Sequence, residues 1–148
     1  DAVKRLLEML REAKGRGCEL VVFTELALPT FIPRWMIEDG AVTEGTSNNA
    51  YIVKDGKIIT RHLSNDILHG ITRAAVLRFA REAQMTVEER AFTIEEAKAA
   101  DEAFVTSASA FVMPVVEIDG VSLGDGAPGQ VAPRLREIYL EESRKTAI

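Results

Sequence analysis

The stretch Ala50-Tyr51-Ile52-Val53-Lys54-Asp55-Gly56-Lys57-Ile58-Ile59-Thr60 reads as two apolar strands joined by a two-residue turn. Asp55-Gly56 suits the left-handed torsions that a tight hairpin requires. C-terminal to this hairpin the periodicity changes. A helix is expected from about Thr72, with Ala75, Val76, Phe79, Ala80 and Ala83 turned inward. Residues 87–92 have strand character, and Thr93 with Glu96 forms a capping box ahead of a short helix over 94–100. A strand over 103–106 follows. Residues 112–118 form another, which closes on a second hairpin turn, Asp119-Gly120. A terminal helix over 135–142 would present Leu135, Ile138, Tyr139 and Leu140 as its apolar face. N-terminal to the hairpin, Val3, Leu6, Leu7, Leu10 and Ala13 recur at helical spacing, with Gly15 and Gly17 placed to stop the helix. A buried strand over 20–23 comes next, and Pro29 and Pro33 then break regular structure. Mixed strands and helices with hairpins predict an α/β fold in the broad sense: a mixed sheet with three or four helices, not a purely parallel doubly wound one.

The 148 residues, 47% hydrophobic and 28% charged, are expected to form a single domain over 1–148 with one core. A formal charge of −5 offers no basic field for a nucleic-acid backbone, so nucleic acid is excluded as a partner. Apolar runs such as 20–23 and 110–116 fall far short of the ~20 residues that cross a bilayer, and residues 1–14 carry mixed charges unlike a signal peptide. Cys18 stands alone, which removes internal disulfides and thiolate metal sites and points to a reducing cytoplasm. His62 and His69 have no further ligand at metal spacing and are read as structural, and Trp35 as an anchor of the proline-rich loop.

Three further stretches matter in combination: Glu44-Gly45-Thr46-Ser47-Asn48-Asn49-Ala50-Tyr51, Ile58-Ile59-Thr60, and Leu68-His69-Gly70-Ile71-Thr72-Arg73. Separately each is ordinary, Thr72 being a helix N-cap and Glu44 a surface glutamate. Together, at these spacings, they resemble the signature of the class IV (fold type IV) aminotransferases, which include the D-amino-acid and branched-chain enzymes. The similarity continues through residues 105–116, with Met113-Pro114-Val115-Val116, and on to Gly124-Asp125-Gly126 and the last helix, covering 40–148. The run Ser47-Asn48-Asn49-Ala50-Tyr51 looks most like the D-amino-acid branch. The resemblance implies most of the large domain of such an enzyme and a pyridoxal phosphate cofactor. By that resemblance Glu44 partners the protonated ring nitrogen. Gly70, Ile71 and Thr72 receive the phosphate at a helix start, where unpaired N–H groups favour an anion. Leu68 lies against the ring, and Thr46, Ser47 and Asn48 form the loop beside it. Ser107 and Ala108 occupy the turn of a second phosphate contact, although many members place a threonine there. Pro133 lies later than the family's helix-starting proline and is expected to shorten the last helix by several residues.

Residues 3–39 resemble a different family, the nitrilase-superfamily D-carbamoylases. The resembling residues are Arg16-Gly17-Cys18-Glu19-Leu20-Val21-Val22-Phe23, Glu25-Leu26-Ala27-Leu28, Phe31, Pro33-Arg34-Trp35 and Glu38-Asp39. Glu25 would match that superfamily's general base, but no cysteine follows it to act as nucleophile. The chain thus looks chimeric, with a junction near Asp39-Gly40. In the aminotransferases the lysine that bonds covalently to the cofactor precedes the glutamate. Here Lys4 falls on a solvated helix face, and Lys54 and Lys57 flank a turn and point to water. The expectation is a partial domain that holds pyridoxal phosphate weakly and non-covalently, without turnover as this chain alone. The alternatives are a folded chimera with no catalytic function and, third, a carbon–nitrogen hydrolase. A large domain without its small domain leaves apolar surface, which predicts a homodimer.

Overall fold

The computed structural model describes residues 36–38, 40–44, 48–64, 67 and 69–146. The chain divides between Phe31 and Ile32 into two units, and the described residues all belong to the second. The expected helix and strand before Pro29, with Glu25 and Cys18, lie outside the described residues.

Strands β1 (Met36–Glu38) and β2 (Ala41–Glu44) pair antiparallel, with Glu38 opposite Ala41. The point read as a junction therefore falls between two paired strands, and Gly40 turns there with a φ of 77°. Strands β3 (Asn49–Lys54) and β4 (Lys57–Thr60) form the hairpin expected from sequence. Asp55 and Gly56 take φ values of 49° and 73°, as the Asp-Gly pair requires. Helix α1 (Ile71–Glu82) then carries the chain across to β5 (Thr86–Glu89), which pairs parallel to β4. After the short helix α2 (Ile94–Lys98) come β6 (Glu102–Ser107), antiparallel to β3, and β7 (Phe111–Val115), antiparallel to β6. The sheet order is β5-β4-β3-β6-β7. A small ribbon, β8 (Glu117–Ile118) and β9 (Val121–Ser122), precedes helix α3 (Val131–Thr146).

The interior strands are buried on both faces, which accounts for apolar runs that do not alternate with polar residues. On one face Tyr51, Val53, Ile58, Phe104 and Val112 pack with Val76, Leu77 and Ala80 of α1 and with Ala132 and Leu135 of α3. Tyr51 and Phe104 stand opposite one another in register and stack with ring centroids 4.5 Å apart. Burying a side chain such as Phe104 or Leu135 contributes about 1.5–3 kcal/mol. Ile52 and Ile59 face the other way, toward Ala99 beside α2.

Several boundaries differ from the sequence reading, each for a local reason. The strand read over 87–92 ends at Glu89, since Arg90 bonds Glu88 and Glu96 and the chain then turns to the capping box. That box forms as expected: Glu96 N donates to Thr93 Oγ1 and Thr93 N to Glu96 Oε2. The strand read over 112–118 is interrupted at Val116, which divides it between β7 and β8. Asp119 and Gly120 make the expected turn, with φ of 49° and 78°. Pro133 does not shorten the last helix. It sits in the first turn of α3, where its missing N–H has no intrahelical acceptor to lose. Ala83, read as an inward helix residue, is the C-cap of α1. Arg73, a charged residue, is buried where an apolar one would be expected.

Candidate functional site

Three segments meet at one end of the five-stranded sheet. There β3 begins at Asn49 and β6 ends at Ser107, with Asn49 opposite Thr106 in register. Helix α1 starts beside them, and Thr72 Oγ1 donates a 3.2 Å hydrogen bond to Ser107 O. Thr72 is therefore not the N-cap. It is a buried first-turn residue that fastens the helix start to the turn after β6, and Gly70 is the N-cap. Between these parts lies a cavity of about 90 Å³. Its walls are Gly70, Ile71 and Thr72 from the helix, Ser107 and Ala108 from the turn, and Asn49 and Thr106 from the strand ends.

The three helices among the described residues treat their N-termini differently. The first-turn N–H groups of any α-helix lack intrahelical acceptors and carry a partial positive charge. In α2 the capping box accepts them. In α3 the Glu102 carboxylate does so, taking Gln130 N at 2.9 Å and Val131 N at 3.0 Å. In α1, Gly70 makes no side-chain cap bond and the first turn holds no acidic residue. Its first residues, Gly70, Ile71 and Thr72, line the cavity instead. Gly70 itself has φ −64° and ψ 131°, open to any L-residue, so glycine is not there for its torsions. It is there for space, because a Cβ would run into Asn49 Oδ1. Nearby, Asn48 is 7% exposed and its buried Oδ1 has no hydrogen-bond partner among the described residues.

These features fit the phosphate end of pyridoxal phosphate: a helix start with no acidic residue in its first turn, a wall without a Cβ, and a turn carrying the Ser107 hydroxyl. None of the residues lining the cavity is a lysine or arginine. An anion would be held by N–H groups and the helix dipole, not by ion pairing. Arg73, one residue beyond the cavity wall, bonds instead to Arg61 O and to Glu89 Oε2, both at 2.9 Å. That bond from Arg73, supplemented by Arg81 at 2.6 Å, holds the Glu89 carboxyl below the usual glutamate range against its partial desolvation.

Of the residues that sequence singled out, the structure brings Gly70, Ile71, Thr72, Ser107 and Ala108 to one cavity, with Asn48 buried beside Asn49. Glu44 ends β2 opposite Met36, and its side chain lies outside the described residues. Thr46, Ser47 and Leu68 also lie outside them. Asn49 and Thr106 were not assigned roles from sequence. Polar residues at the ends of otherwise apolar strands were the available signal. His62 is exposed, and His69 Nε2 lies 3.4 Å from Ser64 O. Among the described residues, no group of three His, Cys, Asp or Glu could hold a metal ion, and no helix is long and apolar enough to cross a membrane.

A mixed sheet with this order, covered by helices, is the α/β fold of the fold type IV aminotransferases. The chain belongs to the class IV aminotransferase family, whose pattern, described as amino-transferase class IV, matches residues 32–118. The match begins at Ile32, ahead of the Gly40 from which the resemblance was read. The D-alanine aminotransferase of Bacillus licheniformis is 45% identical over 115 residues, covering 75% of this chain and 41% of that enzyme. That of Staphylococcus haemolyticus is 47% identical over 96 residues, covering 65% of this chain and 34% of that one. Among solved structures, the branched-chain aminotransferase of the thermophilic archaeon Thermoproteus uzoniensis, with norvaline, superposes with a TM-score of 0.68. It is 36% identical, over 72% of this chain and 35% of that one. The chain thus spans less than half the length of these relatives.

Proposed function

We propose that this chain forms the phosphate- and ring-holding part of a pyridoxal-phosphate aminotransferase that works on D-amino acids. The observation that carries this reading is the cavity in which the uncapped start of α1 meets the Ser107-Ala108 turn, kept open by the absence of a Cβ at Gly70. The D-amino-acid preference is supported by the relatives named D-alanine aminotransferase. When bound, the cofactor supplies an electron sink for chemistry at an amino acid's α-carbon. The chain's own residues orient it: N–H groups of residues 70–72 and the Ser107-Ala108 turn hold the phosphate, and Glu44 holds a proton on the ring nitrogen.

Binding by this chain is non-covalent and weak. The four lysines among the described residues, Lys54, Lys57, Lys98 and Lys145, each face a carboxylate (Asp101, Glu88, Asp119 and Glu142) at 2.6 to 4.0 Å, and none lines the cavity. No turnover is expected of the chain alone. The same reading includes self-association in a reducing cytoplasm, without nucleic acid or membrane. Thermal melting tests it: pyridoxal phosphate at about a hundred times its dissociation constant stabilises the fold by roughly 2.7 kcal/mol. Pyridoxal without the phosphate gives much less. A melting curve unmoved by saturating pyridoxal phosphate refutes the proposal.

A further inference from the structure

The turn that forms one wall of the cavity is held from outside. Ser107 Oγ accepts a hydrogen bond from Ala110 N at 3.0 Å, closing the turn on itself. The next residue, Phe111, has a φ of 62°, a left-handed backbone that a bulky aromatic residue adopts only when its surroundings impose it. Arg136, one turn into α3, meets the chain at this residue. Its Nη1 donates to Ala110 O at 2.6 Å and to Val112 O at 2.8 Å, so it bridges the carbonyls on either side of Phe111. Its guanidinium carbon lies 5.9 Å from the Phe111 ring centroid, and the same ring lies 5.3 Å from that of Tyr139, one turn further along α3. Phe111 is thus clamped at both carbonyl flanks and over its ring by a single helix. Both groups of Ala110 are fixed as well, its N–H by Ser107 and its carbonyl by Arg136.

We infer that Arg136 is a positioning residue for the anion site: it holds Phe111 in the left-handed conformation, and that sets the Ser107-Ala108 wall in its ligand-ready geometry. The inference rests on the proposed function for the identity of the ligand, but not for the clamp itself. Arg136 does not line the cavity, and its hydrogen bonds go to the carbonyls of Ala110 and Val112 on either side of Phe111. Removing it releases a strained residue, and the fraction of molecules with the turn in place falls. Apparent affinity falls by the same factor, on the order of tenfold for strain of this kind.

The test uses the whole chain and four forms: native, Arg136→Met, Arg136→Lys, and Arg136→Met with Phe111→Gly. Pyridoxal phosphate and inorganic phosphate are the probes, with stability measured by urea and amide hydrogen exchange read at Ala110. The expected result is that Arg136→Met weakens both probes about tenfold and speeds Ala110 exchange by a similar factor relative to Phe104. Arg136→Lys, able to reach one carbonyl, falls between and serves if the methionine form does not fold. The second substitution separates positioning from support. Glycine takes a positive φ without strain, so Phe111→Gly restores affinity in the methionine background even as the lost ring packing lowers stability further. Unchanged affinity in Arg136→Met, or affinity that follows stability downward in the double variant, overturns the inference. If the native chain binds neither probe, the proposed function fails, and Ala110 exchange alone then decides the clamp: an unchanged rate in the variants overturns it.

Discussion

Replacing Gly70 by alanine puts the geometry of the helix start to a quantitative test. At φ −64° and ψ 131° alanine is unstrained, and by narrowing the unfolded ensemble it would stabilise the protein by about 0.4–1 kcal/mol if space were free. Space is not free, because the new Cβ meets Asn49 Oδ1. Asn49 is 1% exposed and lies opposite Thr106 in the ladder, so its amide cannot move into solvent without leaving the cavity wall. Overpacking of this kind costs about 1–3 kcal/mol, and a buried polar group left unsatisfied costs a similar amount. The expected net effect is a loss of about 1–3 kcal/mol, with a melting temperature lower by about 4 °C for each kcal/mol. Urea unfolding measures the loss, and a constant slope against denaturant confirms that the folded state alone has changed. Affinity for pyridoxal phosphate should fall along with stability. An alanine variant as stable as the native chain, with its affinity intact, would show that this glycine is not there for space.

Glu102→Ala removes the carboxylate that accepts the first N–H groups of α3, and should destabilise by about 1–2 kcal/mol in urea unfolding. Glu102→Gln, which keeps an acceptor but not the charge, should lose less, and a loss equal to that of the alanine variant would mean that the neutral acceptor contributes nothing without the charge. Glu89, whose carboxyl is depressed first by its bond from Arg73, contributes stability that is present above the ordinary glutamate range and is lost as pH falls through the folded-state value. Unfolding free energy should therefore decline on acidification below about pH 4, and Glu89→Gln should flatten that decline, which a pH series of urea melts would show. Thr72→Val keeps the shape of the side chain but leaves Ser107 O without its donor, at about 1–3 kcal/mol, and should also weaken phosphate binding. Retention of both properties would show that the fastening between helix and turn is dispensable.

How much of this was legible beforehand follows from which interactions are local. Asp55-Gly56 and Asp119-Gly120 announce their hairpins because positive φ at adjacent positions is written in residue type. The Thr93 and Glu96 box is likewise complete within four residues. The start of α1 was misplaced onto Thr72 for want of a non-local fact. Its hydroxyl is used by Ser107 O, thirty-five residues away, and the cap falls to Gly70. Pro133 misled in the same way, since the helix start is fixed by Glu102 from β6, which no local rule could supply. Nor does residue type announce the burial of Arg73, whose partners, Arg61 O and Glu89, lie 12 and 16 residues away. The candidate site was legible as separate motifs at family spacing, but the convergence of Gly70 and Ser107 on one cavity, with Asn49 and Thr106 between them, needed the antiparallel pairing of β3 with β6.

Under the proposed function, the uncapped start of α1 and the turn after β6 together hold the phosphate of pyridoxal phosphate. Titrating the isotopically labelled chain with pyridoxal phosphate while following backbone amide resonances tests this residue by residue. Saturable shifts are expected, largest at Gly70, Ile71, Thr72, Ser107 and Ala108, reproduced in part by inorganic phosphate and absent at the carboxylate-capped start of α3 around Val131. Shifts confined to other parts of the chain, or none at saturating ligand, would contradict the account.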